Sequence, residues 1–325
     1  MRKLLILTLL LSLLFGASTW YNQYVAAGDD GFGEAKRSTI EQNSLTYVEG
    51  YDETSSYYGV YQNWMAVDEP LPTDVFTISP TDFNGGALWP AGLSIGYGDS
   101  VVKLDPQETM SFTVDVVDDG LYEVYFDYYL LPDTLLRPSI DVTVNGEYQY
   151  NEMADLDVPI DWQVSSEQSY DRFGDELTPN SSLDSKWSSF AMSDPNYFFV
   201  EPLKVYLPQG SVEIAVTVNE GFILFGDITI GNLYDEPLSY SEYLTTLPTA
   251  TDDVDTITIQ AERYLYESKQ NIRAKFVRNP ALYPYSYKNR VLNVLDQTSY
   301  RKAGDSATYE FVVEEDGYYN LSLKY

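Results

Sequence analysis

The chain of 325 residues contains neither cysteine nor histidine. Without cysteine it can form no disulfide, thiolate metal site or thiol nucleophile. Without histidine it also lacks the commonest general base and the commonest ligand of transition metals. A metal ion bound by this protein would therefore be a hard cation, such as calcium, held by oxygen ligands.

Basic residues are scarce as well. The sequence has 19 Lys and Arg against 50 Asp and Glu, which gives a formal net charge of −31. Nucleic acids and anionic membrane surfaces are bound through positive charge that displaces counterions, so we expect neither as a partner. Solubility is the simplest explanation of the acidity, and cation binding by part of the acidic surface is the alternative.

Long apolar runs are absent except at the amino terminus. Two basic residues there precede an apolar run from Leu4 to Phe15. This pattern is typical of a secretory signal, and small residues at 16–18 and 25–27 offer cleavage sites. An uncleaved anchor is the alternative, although the run is shorter than the roughly 20 residues that a membrane span needs. Residues 1–27 therefore predict a protein that is secreted or exposed at the cell surface or envelope.

Aromatic residues and short alternating segments are abundant. Aromatic residues make up 15% of the chain, and 30 residues are tyrosine. Apolar residues that alternate with polar ones predict β-strands with one buried face, and turns at Asp119-Gly120 and Asn145-Gly146 separate two pairs of segments. The pattern predicts an all-β fold, an antiparallel β-sandwich. The apolar positions are Phe112, Val114, Val116, Tyr122, Val124, Phe126, Tyr128, Ile140, Val142, Val144, Leu203, Val205, Leu207, Val212, Ile214, Val216, Val218, Ile228 and Ile230.

Two blocks of the sequence recur in the same order. Residues 311–319 match residues 114–122 without a gap, and residues 240–259 match residues 61–78. In the second pair of blocks, a helical segment leads through a linker with Pro and Asp into a strand. Two repeated blocks in one order predict duplicated domains.

The repeat predicts one complete sandwich domain and one truncated copy. The second copy stops inside a strand at Tyr325, which would leave a sheet edge uncovered, so we expect the chain to be a fragment of a longer protein. Short helices are expected at about 57–67 and 238–246. The predicted divisions are a signal peptide or anchor at 1–27, a partly helical linker at 28–67, a first jelly-roll domain at 68–237, a helical linker at 238–255 and a second, truncated jelly-roll domain at 256–325.

The strand series resembles a known fold family. The segments FTVDVVDDGLYEVYFDYY, SIDVTVNG, VYLPQGSVEIAVTV and FGDITIGNL resemble the galactose-binding-like jelly roll, as found in carbohydrate-binding modules of families 6 and 35. The segment ITIQAERY resembles their opening strand. Residues 55–325 as a whole resemble the amino-terminal region of large bacterial extracellular solute-binding proteins of sugar ABC transporters, in which two such domains precede the solute-binding domain.

This resemblance implies a non-catalytic region that binds or positions an oligo- or polysaccharide. It also implies contact with ABC-transporter permease subunits through the missing carboxy-terminal part. Two alternatives are an accessory region of a secreted polysaccharide-degrading enzyme and a structural or adhesive surface protein. No spacing singles out a pair of carboxylates for glycoside hydrolysis, so we predict that the chain is not an enzyme.

Candidate sugar-binding residues are aromatic side chains outside the alternating segments. A sugar site needs a flat aromatic face with nearby amides or carboxylates. Trp89 lies in a glycine-rich segment that we interpret as a loop. Trp162 and Trp187 lie in a long polar stretch, with Tyr170 and Asp171 nearby. The alternative for each tryptophan is that it covers an edge of the core.

Candidate metal ligands come from the same resemblance. In such modules the position of Glu262 would be a ligand of a structural calcium ion, and its Asp partner would lie beyond Tyr325. The first domain has Thr81 at the corresponding position, which is a departure from the pattern. Asp227 fits the partner position, and Asp82 could substitute for the missing glutamate. The alternative is that all three carboxylates are simply solvated.

Overall fold

A computed structural model describes residues 55–132, 134, 137–247, 256–314 and 319–324. All of them belong to one compact unit, Ser55–Tyr325. The predicted signal segment at 1–27 lies outside the described residues, as do most of the first linker and the second half of the linker at 238–255. Within the described ranges, no helix combines the length and apolar composition that a membrane crossing requires.

The secondary structure is dominated by short strands. Two α-helices are described, α1 (Tyr57–Ala66) and α2 (Tyr240–Thr246), with 3-10 turns at Pro80–Asp82, Ala91–Leu93, Asn151–Met153 and Gln297–Ser299. The strands are β1 (Phe76–Ile78), β2 (Ala87–Trp89), β3 (Val101–Leu104), β4 (Thr109–Val116), β5 (Gly120–Tyr129), β6 (Ser139–Val144), β7 (Leu156–Asp157), β8 (Trp162–Val164), β9 (Ser181–Leu183), β10 (Ser188–Ala191), β11 (Lys204–Leu207), β12 (Gly210–Glu220), β13 (Ile223–Ile230), β14 (Tyr266–Glu267), β15 (Ala274–Lys275), β16 (Val294–Leu295) and β17 (Ala307–Thr308).

Two antiparallel sheets form a sandwich. The larger sheet has the order β10-β5-β13-β3-β2, with β11 also paired to β5 and β1 also paired to β13. The smaller sheet has the order β4-β12-β6-β7. The predicted fold class, an antiparallel β-sandwich, is confirmed.

The core between the sheets consists of the alternating apolar positions. In β5, the side chains of Tyr122, Val124, Phe126 and Tyr128 belong to this core. The corresponding residues of the other long strands join them: Phe112, Val114 and Val116 of β4, Ile140, Val142 and Val144 of β6, and Val212, Ile214, Val216 and Val218 of β12. The period-two prediction is therefore confirmed for β4, β6 and β12, each of which buries one face. Strands β5 and β13 place the predicted residues in the core but also bury much of their opposite face.

The two predicted helices are present. Helix α1 follows its N-cap Ser56, and the backbone N–H of Tyr57 donates to the Glu152 carboxylate at 2.8 Å. The Tyr57 ring packs edge-on against Tyr150 and Phe199, with centroids 4.8 and 4.9 Å away. These contacts hold α1 against the sandwich. Helix α2 begins with a capping box.

Residues 256–308 pack on the insertion that separates β6 from β11. Strand β14 pairs with β8 of that insertion, in a sheet of order β17-β14-β8-β9. Val164, Tyr264 and Ile272 form a small core beside it. The strand predicted at 256–259 is not formed, because no neighbouring strand pairs with these residues, and residues 311–313 are also outside strands. The duplication of the sandwich stays a prediction.

A buried ion pair joins β5 to its neighbours. Glu123 of β5 and Lys204 of β11 are cross-strand partners, and Lys204 Nζ lies 3.0 Å from Glu123 Oε1. The other carboxylate oxygen accepts the backbone N–H groups of Leu233 and Tyr234, each at 3.0 Å. Both charged side chains are almost fully buried. The pair therefore connects two strands and the segment that follows β13.

Removing one partner of this pair should be costly. We expect Lys204→Met to lower the free energy of unfolding by about 3–5 kcal/mol, since the Glu123 charge would stay buried without its cation. The matched control is Lys186→Met, because Lys186 forms a solvent-exposed ion pair with Asp184 at 2.7 Å. That control should cost less than about 1 kcal/mol. Urea unfolding measures the free energy of unfolding of both variants, and an equal loss in the two would contradict the account.

Candidate functional site

An aromatic cluster covers one end of the outer face of the larger sheet. Trp89, Tyr97, Leu131 and Trp187 pack around the buried residues Val101, Tyr129 and Leu224. Tyr129 has the opposite parity in β5 from Tyr128, and Leu224 the opposite parity in β13 from Phe225, and both of those neighbours lie in the sandwich core. The cluster therefore lies on the face that points away from the second sheet.

Trp187 is the centre of this cluster. Its ring centroid lies 4.3 Å from that of Tyr97 and 5.5 Å from that of Tyr129. Its Nε1 donates a hydrogen bond to the backbone oxygen of Ile95 at 3.1 Å. This bond ties the loop before β3 to the segment before β10, so the indole is held in one place while part of its surface stays exposed.

Trp89 lies on a strand, which corrects its assignment to a loop. Strand β2 pairs with β3, so that Trp89 is opposite Val101 and shares its face of the sheet. The glycines that precede β2 make this edge strand possible. At Gly86, which has a φ of 69°, a Cβ atom would lie 2.6 Å from the Val102 side chain. The glycines that suggested a loop instead let the chain approach β3 closely.

Tyr97 connects the aromatic cluster to two carboxylates. Its hydroxyl donates to Asp127 Oδ2 at 2.8 Å and accepts the backbone N–H of Asp227 at 2.9 Å. Its ring lies directly over Gly226, where a Cβ atom would come within 2.5 Å of Tyr97 Cζ. Burial raises the pKa of Tyr97 above its ordinary value, and the hydrogen bond to Asp127 adds to this. The phenol is therefore neutral and serves as a donor.

A β-bulge places the two carboxylates side by side. The pairing of β13 with β5 shifts register between Phe225 and Ile228, at the point where Asp227 lies opposite the Asp127 region of β5. Bulges redirect side chains in this way and are common beside functional sites. Burial raises the pKa of Asp227, and the negative charge of Asp127 raises it further. Ser79 Oγ donates to Asp227 Oδ1 at 3.4 Å.

The remaining predicted sugar-binding residues lie elsewhere. Trp162 of β8 is buried within the sandwich core. Asp171 accepts the backbone N–H groups of Phe173 and Asp175, at 2.8 and 2.9 Å, and so closes its own turn. Tyr170 is exposed, and its hydroxyl donates to Gln168. The structure thus brings Trp89 and Trp187 together, and it leaves Trp162, Tyr170 and Asp171 out of their cluster.

Sequence reasoning missed Tyr97, Tyr129 and Asp127, and it singled out Asp227 as a metal ligand rather than as the neighbour of Asp127. Tyr129 and Asp127 could have been found from their parity, since they occupy the positions of β5 that alternate with the predicted core residues. The sequence also indicates the bulge, because Gly226-Asp227 interrupts the alternation of apolar residues in β13.

The three predicted metal ligands are not gathered into one site. Asp227 lies on the outer face of the larger sheet, Asp82 is exposed at the end of a 3-10 turn, and Glu262 lines a cavity beside β8. Over the described ranges, no three acidic side chains come together in a way that could hold a metal ion. The sequence places Asp82 and Asp227 in one expected site and Glu262 in another, and calcium binding at both stays a prediction.

Comparison with known proteins returned structural similarities only. No protein-family model and no curated protein matches the chain. Among solved structures, it is similar to a GH26-CBM35 β-(1,4)-mannanase from Podospora anserina, with 17% identity and a TM-score of 0.32 over 51% of this chain and 29% of the mannanase. The chain thus spans less than a third of that enzyme's length.

Two separate carbohydrate-binding modules are similar at a comparable level. A family 35 module from Clostridium thermocellum shares 15% identity, with a TM-score of 0.29 over 48% of this chain and 97% of the module. A CBM35 from Paenibacillus barcinonensis shares 17% identity, with a TM-score of 0.29 over 49% of this chain and 98% of the module.

The carboxylate pair should make the candidate site a weak point of the fold. A carboxyl whose pKa is raised in the folded state weakens folding above that pKa, and the penalty disappears below the unfolded value of about 3.9. We therefore expect Asp227→Asn to raise the melting temperature at pH 7 and the gain to vanish as the pH falls to about 3. Thermal unfolding followed by circular dichroism measures this difference.

The control for this prediction is Asp115→Asn, which changes an exposed carboxylate on β4. It should leave the melting temperature unchanged at both pH values. A lower melting temperature for Asp227→Asn at pH 7 would show that the Asp227 charge stabilises the fold, which is the opposite of our account.

Proposed function

We propose that this chain binds an oligo- or polysaccharide on the outer face of its larger sheet. The observation that carries the proposal is the fixed indole of Trp187, with Tyr97 and Trp89 beside it and the Asp127–Asp227 pair at its edge. The apolar faces of pyranose rings stack on such aromatic surfaces, and their hydroxyl groups donate to carboxylates. Both kinds of group occur here within one preformed cluster.

Rigidity supports the proposal. Trp187 is held by its hydrogen bond to Ile95 and by ring contacts with Tyr97 and Tyr129. Binding to a side chain that is already ordered avoids the loss of rotamer entropy that a mobile one would suffer. The loop before β3 also exposes the apolar side chains of Leu93 and Ile95, and the backbone oxygen of Ile95 accepts the hydrogen bond from the indole.

The wider biological role that we propose is non-catalytic. The chain would be the glycan-positioning region of an exported solute-binding protein for sugar uptake, and its permease partners would be contacted outside these residues. This part of the proposal is supported by the resemblance of residues 55–325 to the tandem jelly rolls of such proteins. Export is supported by the basic and apolar residues of the first 27 positions.

The direct test is a glycan array followed by calorimetry on the whole chain. We expect at least one oligosaccharide to bind, and Trp187→Ala to weaken that binding about ten-fold or more, because buried tryptophans dominate such interfaces. Trp187→Phe retains a ring and should give an intermediate loss. Tyr240→Ala is the control, since Tyr240 is an exposed aromatic residue on α2, outside the cluster.

Two results would overturn the proposal. One is the absence of binding to every glycan on the array by the folded protein. The other is a glycan that binds equally well to wild type and Trp187→Ala, with circular dichroism showing that the variant is folded, because binding would then take place elsewhere on the molecule.

A further inference from the structure

A concave surface lies beside the small sheet that contains β8 and β14. It is a cavity of about 400 Å³, lined by residues of three separate segments, 164–179, 262–265 and 310–312. None of its lining residues belongs to the aromatic cluster around Trp187. Its volume is within the range of roughly 300–1,000 Å³ that is usual for small-molecule sites.

The lining of this cavity is strongly acidic. Four carboxylates, those of Glu167, Glu176, Glu262 and Glu310, face one guanidinium, that of Arg263. Arg263 pairs with Glu176, whose Oε1 lies 2.6 Å from the guanidinium. In the part of the chain that the structure describes, no Lys or Arg forms an ion pair with the other three carboxylates. The cavity therefore favours a cationic ligand.

Glu262 is the residue that points most clearly to such a ligand. Its side chain is buried, with the residue only 4% exposed, and its Oε1 has no hydrogen-bond partner in the described protein. Burial raises the pKa of Glu262, although a hydrogen bond from its own backbone N–H and the charge of Arg263 act against this; the charge of Glu176 adds a smaller increase. A buried carboxylate oxygen without a partner is costly. Because this oxygen has almost no accessible surface, the side chain must turn toward the cavity before a cationic donor there can pair with it and remove that cost.

The rest of the lining suits a ligand that is larger than a metal ion. Ser165, Ser166 and Gln168 supply hydroxyl and amide groups, while Tyr264 and Phe311 supply aromatic surface. Hydroxyl and amide groups hydrogen-bond to sugar hydroxyls, and aromatic side chains pack against the ring. We propose that this cavity is a second binding site, for a protonated amino sugar whose ammonium group pairs with Glu262. The site is independent of the proposed glycan surface around Trp187.

Calorimetry on the whole chain tests this inference with three related sugars. Glucosamine is the probe, and glucose and N-acetylglucosamine are the uncharged comparisons. We expect glucosamine to bind at least ten-fold more tightly than either. Glu262→Gln keeps the shape of the side chain and removes its charge, so it should fold and should weaken glucosamine binding at least ten-fold. Glu147→Gln, at an exposed turn, is the matched control and should bind glucosamine like wild type.

The outcomes separate this site from the proposed glycan surface. Trp187→Ala should leave glucosamine binding unchanged if the two sites are distinct. The inference is overturned if glucosamine does not bind, if it binds no better than glucose, or if folded Glu262→Gln binds it like wild type. Tight binding of calcium chloride that displaces glucosamine and is lost in Glu262→Gln would also overturn it, in favour of a metal site.

Discussion

In strand β5, successive side chains point to opposite faces of the sheet, and the rest of the structure depends on this period-two constraint. Tyr122, Val124, Phe126 and Tyr128 fill the space between the two sheets. The residues that alternate with them must then point to the other face, and they include Asp127 and Tyr129 of the candidate site. The packing of the core thus fixes where the site lies.

The two ends of the outer face of β5 have different roles. Near its start, Glu123 is buried by Lys204 and by the segment after β13, and it connects β5 to both of them. Near its end, Asp127 faces the bulge of β13 and meets a second carboxylate, Asp227, whose pKa is raised by burial and by the charge of Asp127. The first carboxylate is compensated and stabilises the fold. The second raises the energy of the folded state and is available to a ligand, which is a common feature of functional sites.

The sequence was sufficient to predict the sandwich, because strands such as β4, β6 and β12 each bury one face and alternate apolar with polar residues. It was insufficient for the insertion between β6 and β11, whose strands are two to four residues long and too short for any period to be read. The glycines before Trp89 predict a loop, whereas in the structure they permit the close approach of β2 to β3. The Asp127–Asp227 pair depends on a bulge, so its residues become neighbours only through strand register.

The central claim is that the outer face around Trp187 is the glycan-binding surface. The most direct test follows the tryptophan indole N–H signals of the whole chain by NMR spectroscopy. The five tryptophans include Trp89 and Trp187 in the cluster and Trp162 in the core. On titration of the labelled protein with a glycan that binds in the array, the account predicts that the Trp89 and Trp187 signals shift while that of Trp162 stays in place. A bound glycan that moves neither Trp89 nor Trp187 would contradict the account.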